Sequence, residues 1–405
     1  MPHDLRDRIS SWKDRGLGLL TAERIRAFGV VWIIFAVPVY FIDLMHQTAV
    51  GLSDGKGRPF GDDFINYWSA AKLAFMGRSA DVYNWESFHE FEADVTHGLI
   101  GSFHYSYPPI LLFLTFPLVF LPFVPALFAW LAATWAAFYG ALRLARPKAH
   151  GLLLSLAIPA VLWNAVNGQN GMLLAALMGG GLTLLPTRPI VAGVLFGIMS
   201  FKPQLGILIP VALIAGKYWR TFIAASLTVL ALIALSLAFY GANVWGLYFQ
   251  NANVLREVIL ERSGAAQWYR FVSVFITARQ MGLGIVPAYV VQGVVGIFAA
   301  GIVIRLWRLP VSHDIRCAAL VLCTLLATPY AHDYDFVVMA FVVVWLDRAY
   351  RDAKFANMLL LLLPILSTAI GYRTGWYLGP FMLLPAIGLI LRMRKTGVVY
   401  RRAMP

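Results

Sequence analysis

The chain reads as an all-α polytopic membrane protein, a bundle of about 12 transmembrane helices, and three observations predict this class. Only 13% of its 405 residues are charged and 60% are hydrophobic, whereas soluble domains carry roughly 25% charged residues. Apolar stretches of spanning length recur from residue 27 to residue 391, and a helix crosses a bilayer with about 20 such residues. These stretches lack the polar and apolar alternation of a barrel strand.

The elements follow in order. Residues 1–26 form a basic segment with mixed charge and no A-x-A-like cleavage site after the first apolar run, so the first span is expected to be retained. Spans are predicted at 27–47, 123–143, 151–167, 171–187, 189–202, 204–215, 221–240, 285–307, 315–331, 335–347, 356–370 and 377–391. Residues 27–391 then make one membrane domain, with a first outer loop at 48–106 that is helical in part, and 392–405 is a basic tail. The apolar stretch 107–122 carries four prolines and is read as a re-entrant or interfacial helix; short spans such as 204–215 are read as half-helices. This assignment gathers 23 of the 33 Lys and Arg on one side, with both termini cytoplasmic. The net charge of +13 is therefore a topology signal spread over segment ends, and nucleic acid is not expected as a partner. Cys317 and Cys323 lack metal-ligand spacing and read as core residues.

The consequence lies on the opposite face. GDDFINYW in the first loop, NGQNG (167–171), FKPQ (201–204), QWYRF (267–271), TPYAHDYDF (328–336) and GYRTGWY (371–377) all fall there. Asp62 and Asp63 precede a helix ending near Gly77, where one of them suits an N-cap. At helical spacing Asp63, Asn66, Tyr67 and Ala70 share a face. Lys202 sits between apolar runs before the helix-breaking Pro203, a costly place for an ammonium unless it has a function; a snorkelling lysine is the plain alternative. His332, Asp333 and Asp335 stand at a junction of two spans, where one aspartate suits a cap and the histidine suits a site. Gln169 and Asn170 are neutral donors and acceptors on a glycine-flanked turn, or simply turn residues. Arg270 and Arg373 are outer-face cations that suit a phosphate or a lipid headgroup. The aromatic residues of this face, Tyr67, Tyr83, Tyr105 and Tyr107 among them, read mainly as an interfacial belt. H-D-x-D by itself is weak evidence for a metal, and no metal or other cofactor is expected.

The ordered set DFINYWSAAKLAFMGRSADVYN, YSYPPILLFLTFPLVFLP, NGQNGMLLAAL, GVLFGIMSFKPQ and TPYAHDYD resembles the bacterial polyprenyl-phosphate-mannose-dependent mannosyltransferases, integral-membrane glycosyltransferases of the GT-C class. The resemblance spans roughly residues 60 to 340. It implies a GT-C-like bundle that moves a sugar, mannose first among candidates, from a polyprenyl phosphate to an acceptor hydroxyl with inversion. The acceptor would be a glycolipid or an envelope glycan on the periplasmic face of the inner membrane. It implies Asp63 as the general base, with Asp62 as the alternative, and Lys202, His332, Arg373 and Arg270 as donor-phosphate ligands. Tyr67, Tyr107, Gln169, Asn170, Gln204, Asp333 and Asp335 are the corresponding candidates for substrate binding, and a monomer is expected. A transporter or flippase of a polyprenyl-linked lipid, and a non-catalytic subunit, are the readings set against it.

Overall fold

In the computed structural model the described residues are 22–146, 151–263, 268, 270–349, isolated helical positions between 357 and 374, and 379–393. The terminal segments and most of the span expected at 356–370 lie outside them. Every described element is a helix, beyond three isolated β-bridges. Among the described residues four helices are long and apolar enough to cross a bilayer: α1 (Ala22–His46), α5 (Phe123–Ala145), α11 (Trp219–Tyr240) and α14 (Ile285–Arg308). Their outer faces leave Ile34, Leu230 and Ile297 more than 60% exposed, which water would penalise and a lipid chain would not.

The remaining spans are shorter than expected, and proline explains most of the interruptions. The stretch 151–167 divides into α6 (Gly151–Ala157) and α7 (Pro159–Val166), with Ile158 extended ahead of Pro159. After α8 (Gly171–Leu184), α9 (Pro189–Ile198) passes through a 3-10 turn, Met199–Phe201, into Lys202 and then a second turn, Pro203–Leu205, before α10 (Ile209–Ala215). Pro203 offers no N–H to continue a helix. The chain therefore changes direction at Lys202. The re-entrant stretch is likewise two short pieces, α4 (Leu111–Thr115) and a 3-10 turn, Phe116–Phe120.

The first outer loop holds α2 (Phe64–Phe75) and α3 (Trp85–Thr96). Gly77, with φ +78°, closes α2 as expected of a left-handed C-terminal glycine. The loop 241–284 is itself helical: α12 (Ala242–Leu255), a π-helical turn (Arg256–Glu261) and α13 (Val274–Gln280).

α15 (His313–Ala327) and α16 (Met339–Ala349) form the buried centre, where Cys317 and Cys323 are core residues. Close helix approach relies on glycine. A Cβ on Gly193 or Gly197 would lie 2.5 Å from Thr221 O or Thr228 Cβ, so α9 meets α11 across two missing side chains. Four tyrosines of this region do not belong to an interfacial belt. Tyr67, Tyr83, Tyr105 and Tyr107 are buried and pack in one cluster through tilted and edge-on ring contacts. Their rings are the wall between the loop helices and the bundle.

Candidate active site

Two glycines bring the NGQNG turn against its neighbours. Gly168 has φ +56°, and a Cβ there would lie 2.5 Å from Gly61 O. A Cβ on Gly171 would lie 2.2 Å from Tyr334 O. The turn is thus pressed between the start of α2 and the 3-10 turn Asp333–Val338. That contact places Asp63, Gln169, Lys202, Arg270 and His332 on one cavity of about 640 Å³, large enough for a small ligand. Tyr107 and Gln204 complete the predicted residues that line it.

The two aspartates of the opening pair have different surroundings. Asp62 adopts φ +47° and turns away into a polar knot. Its carboxylate accepts from Arg58 Nη2 at 2.5 Å and Nε at 3.0 Å, and from Gln47 Nε2 at 3.3 Å. Arg58 also reaches Asp43 at 3.1 Å. Asp63 lines the cavity, and its Oδ2 accepts a 2.8 Å hydrogen bond from Gln169 Nε2. Neither side chain caps α2, contrary to expectation; Asp62 is taken by Arg58 four residues before it and Asp63 by Gln169, 106 positions on.

Gln169 is held from its other end. Its Oε1 accepts from Tyr67 Oη at 2.6 Å and Tyr107 Oη at 3.2 Å. Tyr67 Oη in turn accepts from Asn170 Nδ2 at 2.9 Å. The amide orientation follows: with Oε1 accepting, Nε2 must be the end that meets Asp63. Tyr67 and Asn170 act behind the cavity wall, positioning Gln169.

The cations are compensated. Lys202 is 1% exposed, and its Nζ donates to Asp335 Oδ1 at 2.5 Å, with Asn170 Oδ1 at 3.5 Å. A snorkelling lysine would reach water, and this one does not. Asp335 Oδ2 accepts from the His332 backbone N–H at 3.0 Å, so this aspartate holds both the lysine and the turn. Arg270 pairs with Asp333 at 3.6 Å and lies over the Tyr334 ring. Asp333 and Asp335 are therefore partners of the cations rather than lining groups. The His332 ring stacks on Tyr334 and faces Phe271, with a centroid distance of 4.1 Å. Burial, reinforced by the charges of Arg270 and Lys202, pushes its pKa well below the ordinary histidine range. The ring therefore favours its neutral form, not the cation expected, and its buried Nδ1 has no hydrogen-bond partner. Arg373 is exposed and lies outside the cavity lining.

Three features were not anticipated. The opposite wall comes from α12 and the π-helical turn, including Leu255, Arg256 and Ile259. His104, stacked on Trp85 at 3.9 Å, edges the cavity just before the YSYPP stretch. Glu92 of α3 is fully buried with neither carboxyl oxygen hydrogen-bonded. Burial, with a smaller push from the Asp63 charge, raises its pKa well above the ordinary range, so it is a neutral acid. The amphipathic spacing of Phe88, Glu92 and Thr96 was the available signal for it.

Among the described residues no group of three or more His, Cys, Asp and Glu side chains is arranged to hold a metal ion. The fold and cavity together define a helical membrane protein with a large cavity lined by a carboxylate, Asp63, and by two cations, Lys202 and Arg270, that are paired behind its wall. Residues 105–329 match the family model of glycosyltransferase family 87. That stretch exceeds half of the chain, which belongs to this family of glycosyltransferases. It takes in Gln169, Lys202 and Arg270 but ends before His332 and begins after Asp63. No curated protein and no solved structure matches the chain significantly.

Proposed function

We propose that the protein is an inverting glycosyltransferase of the GT-C class that moves a sugar, with mannose the first to test, from a polyprenyl-phosphate donor to an acceptor hydroxyl. The observation that carries the reading is the meeting of Asp63 with Lys202 and Arg270 on one cavity. Inverting transfer needs a base for the acceptor hydroxyl and positive charge for the departing phosphate, and both are present.

In this mechanism Asp63 takes the acceptor proton on Oδ1, because Oδ2 is held by Gln169. The acceptor oxygen attacks the anomeric carbon opposite the phosphate, and the bond from that carbon to the phosphate oxygen breaks with its electron pair leaving on the phosphate. An oxocarbenium-like transition state is expected, as in glycoside chemistry generally. Lys202 keeps an N–H beyond those that meet Asp335 and Asn170, and this contacts the phosphate, with the Arg270 guanidinium and neutral His332 beside it. The pairing to Asp335 and Asp333 fixes both cations before substrate arrives, so little reorganisation accompanies charge development. A lipid-linked donor agrees with the apolar wall of Leu255, Val258, Ile259 and Leu260.

The acceptor is a glycolipid or envelope glycan, and the cavity opens to the periplasmic face of the inner membrane with both termini cytoplasmic. The enzyme works as a monomer without metal. Release of free polyprenyl phosphate coupled to sugar incorporation by the purified protein tests the reading. Movement of the intact lipid between leaflets without release would instead establish a flippase.

A further inference from the structure

Helix α2 contributes only two residues to the cavity, Asp63 at its start and Asn66 one turn on. Asn66 is 6% exposed, and its Oδ1 is enclosed with no hydrogen-bond partner. The two amides of the neighbouring turn are engaged, Gln169 by Asp63 and two tyrosines, Asn170 by Tyr67 and Lys202. A buried amide left without a partner is disfavoured unless something else satisfies it. An amide can present either its oxygen or its NH2 to a ligand by turning over.

The position indicates which substrate it meets. Residues three apart on a helix have Cβ atoms about 5–6 Å apart, close to the reach between neighbouring hydroxyls on a sugar ring and the groups that bind them. The phosphate ligands Lys202, Arg270 and His332 come from other elements. Asn66 therefore shares its helix with the base, whereas the phosphate ligands reach the cavity from elsewhere in the chain. From this we infer that Asn66 is a specificity-determining residue, reading a hydroxyl next to the one Asp63 deprotonates, so that the acceptor is a vicinal diol within a sugar or polyol. This inference rests on the glycosyltransferase reading above and adds to it the chemistry of the acceptor.

The test uses the full-length purified protein, a polyprenyl-phosphate mannose donor, and octyl α-mannopyranoside with its set of monodeoxy analogues as acceptors. The analogue lacking the attacking hydroxyl is inert. One lacking a neighbouring hydroxyl loses at least about tenfold in kcat/KM with the wild type, as sites built to pair a hydroxyl discriminate strongly against its absence. Asn66→Ala loses about as much with the intact acceptor, through a raised acceptor KM, while the donor KM is unchanged. Asn66→Ala is then no more sensitive to the second analogue than to the intact acceptor. Asn66→Gln, which keeps the amide, recovers part of the loss, and equal elution and melting of the variants exclude misfolding. If Asn66→Ala and the wild type discriminate the analogues equally, the inference is overturned and the glycosyltransferase reading stands. If the wild type transfers to no member of the set and releases no polyprenyl phosphate, both fall.

Discussion

Lys202 and Asp335 give the sharpest prediction about the fold. Both side chains are essentially excluded from solvent, at 1% and 0% exposure, and the pair closes at 2.5 Å. Lys202→Met leaves the Asp335 carboxylate with the His332 backbone N–H as its remaining hydrogen-bond donor. Removing one member of a buried pair typically costs about 3–5 kcal/mol, because the survivor is an uncompensated charge. Replacing both by apolar residues, Lys202→Met with Asp335→Leu, removes that charge, though the His332 N–H then loses its acceptor for about 1–2 kcal/mol. The double variant is therefore less destabilised than Lys202→Met alone, by about 1–4 kcal/mol, and the costs of the two sites are strongly non-additive. Reversible unfolding in mixed micelles of the wild type, both single variants and the double variant measures it. Additive costs, or a Lys202→Met variant within about 1 kcal/mol of the wild type, would refute the paired arrangement. The double variant should fold and yet transfer no sugar.

Further expectations concern the cavity's supports. Glu92 is neutral in the folded protein because burial raises its pKa, so the unfolded chain ionises above 4.5 while the folded one does not. Stability conferred by its environment is lost as pH rises, by about 1.4 kcal/mol per unit until the folded group also ionises. Glu92→Gln therefore melts higher than the wild type at pH 7 and equally at pH 4; equal melting at both values contradicts a neutral Glu92. Gly171→Ala drives a Cβ to within 2.2 Å of Tyr334 O and should cost about 1–3 kcal/mol by overpacking, with loss of transfer as the 333–338 turn shifts. Unfolding and activity assays on that one variant check both. Tyr67→Phe strips a hydroxyl that serves Gln169, Asn170 and Tyr107; kcat should fall at least tenfold at unchanged donor KM, and a wild-type kcat would show that Gln169 needs no such support.

Much of this arrangement was legible in the chain because of where polarity interrupts apolar runs. Lys202 between Phe201 and Pro203, and the His332–Asp335 cluster between two spans, are expensive places for polar groups and could be singled out on that ground. What could not be read is which polar group faces which. Lys202 and Asp335 are 133 positions apart, and Gln169 and Asp63 are 106 apart, distances over which no helical or strand period carries information. The role of Asp62 was hidden although its main partner, Arg58, is only four residues away, because the two stand in a turn ahead of α2 and the knot is completed by Asp43 and Gln47 at the end of α1. The charge of His332 depended on burial and two cations that only folding assembles. The break at Pro203 was legible, but the span 151–167 failed at Pro159, where hydropathy continues although the backbone cannot. The tyrosines of the first loop misled because interfacial and buried aromatic residues have the same composition; their neighbours decide the matter.

The account depends most on the division of labour between the two adjacent aspartates. Purified wild type, Asp63→Asn and Asp62→Asn are compared for mannose transfer from a polyprenyl-phosphate donor to an envelope-glycolipid extract, with release of free polyprenyl phosphate measured in the same reaction. The account predicts that Asp63→Asn loses at least about a hundredfold in kcat, as general-base catalysis contributes roughly that much. Asp62→Asn keeps most of its activity and melts lower, because its carboxylate serves Arg58 and Gln47. Full transfer by Asp63→Asn, or loss confined to Asp62→Asn at unchanged stability, would contradict it.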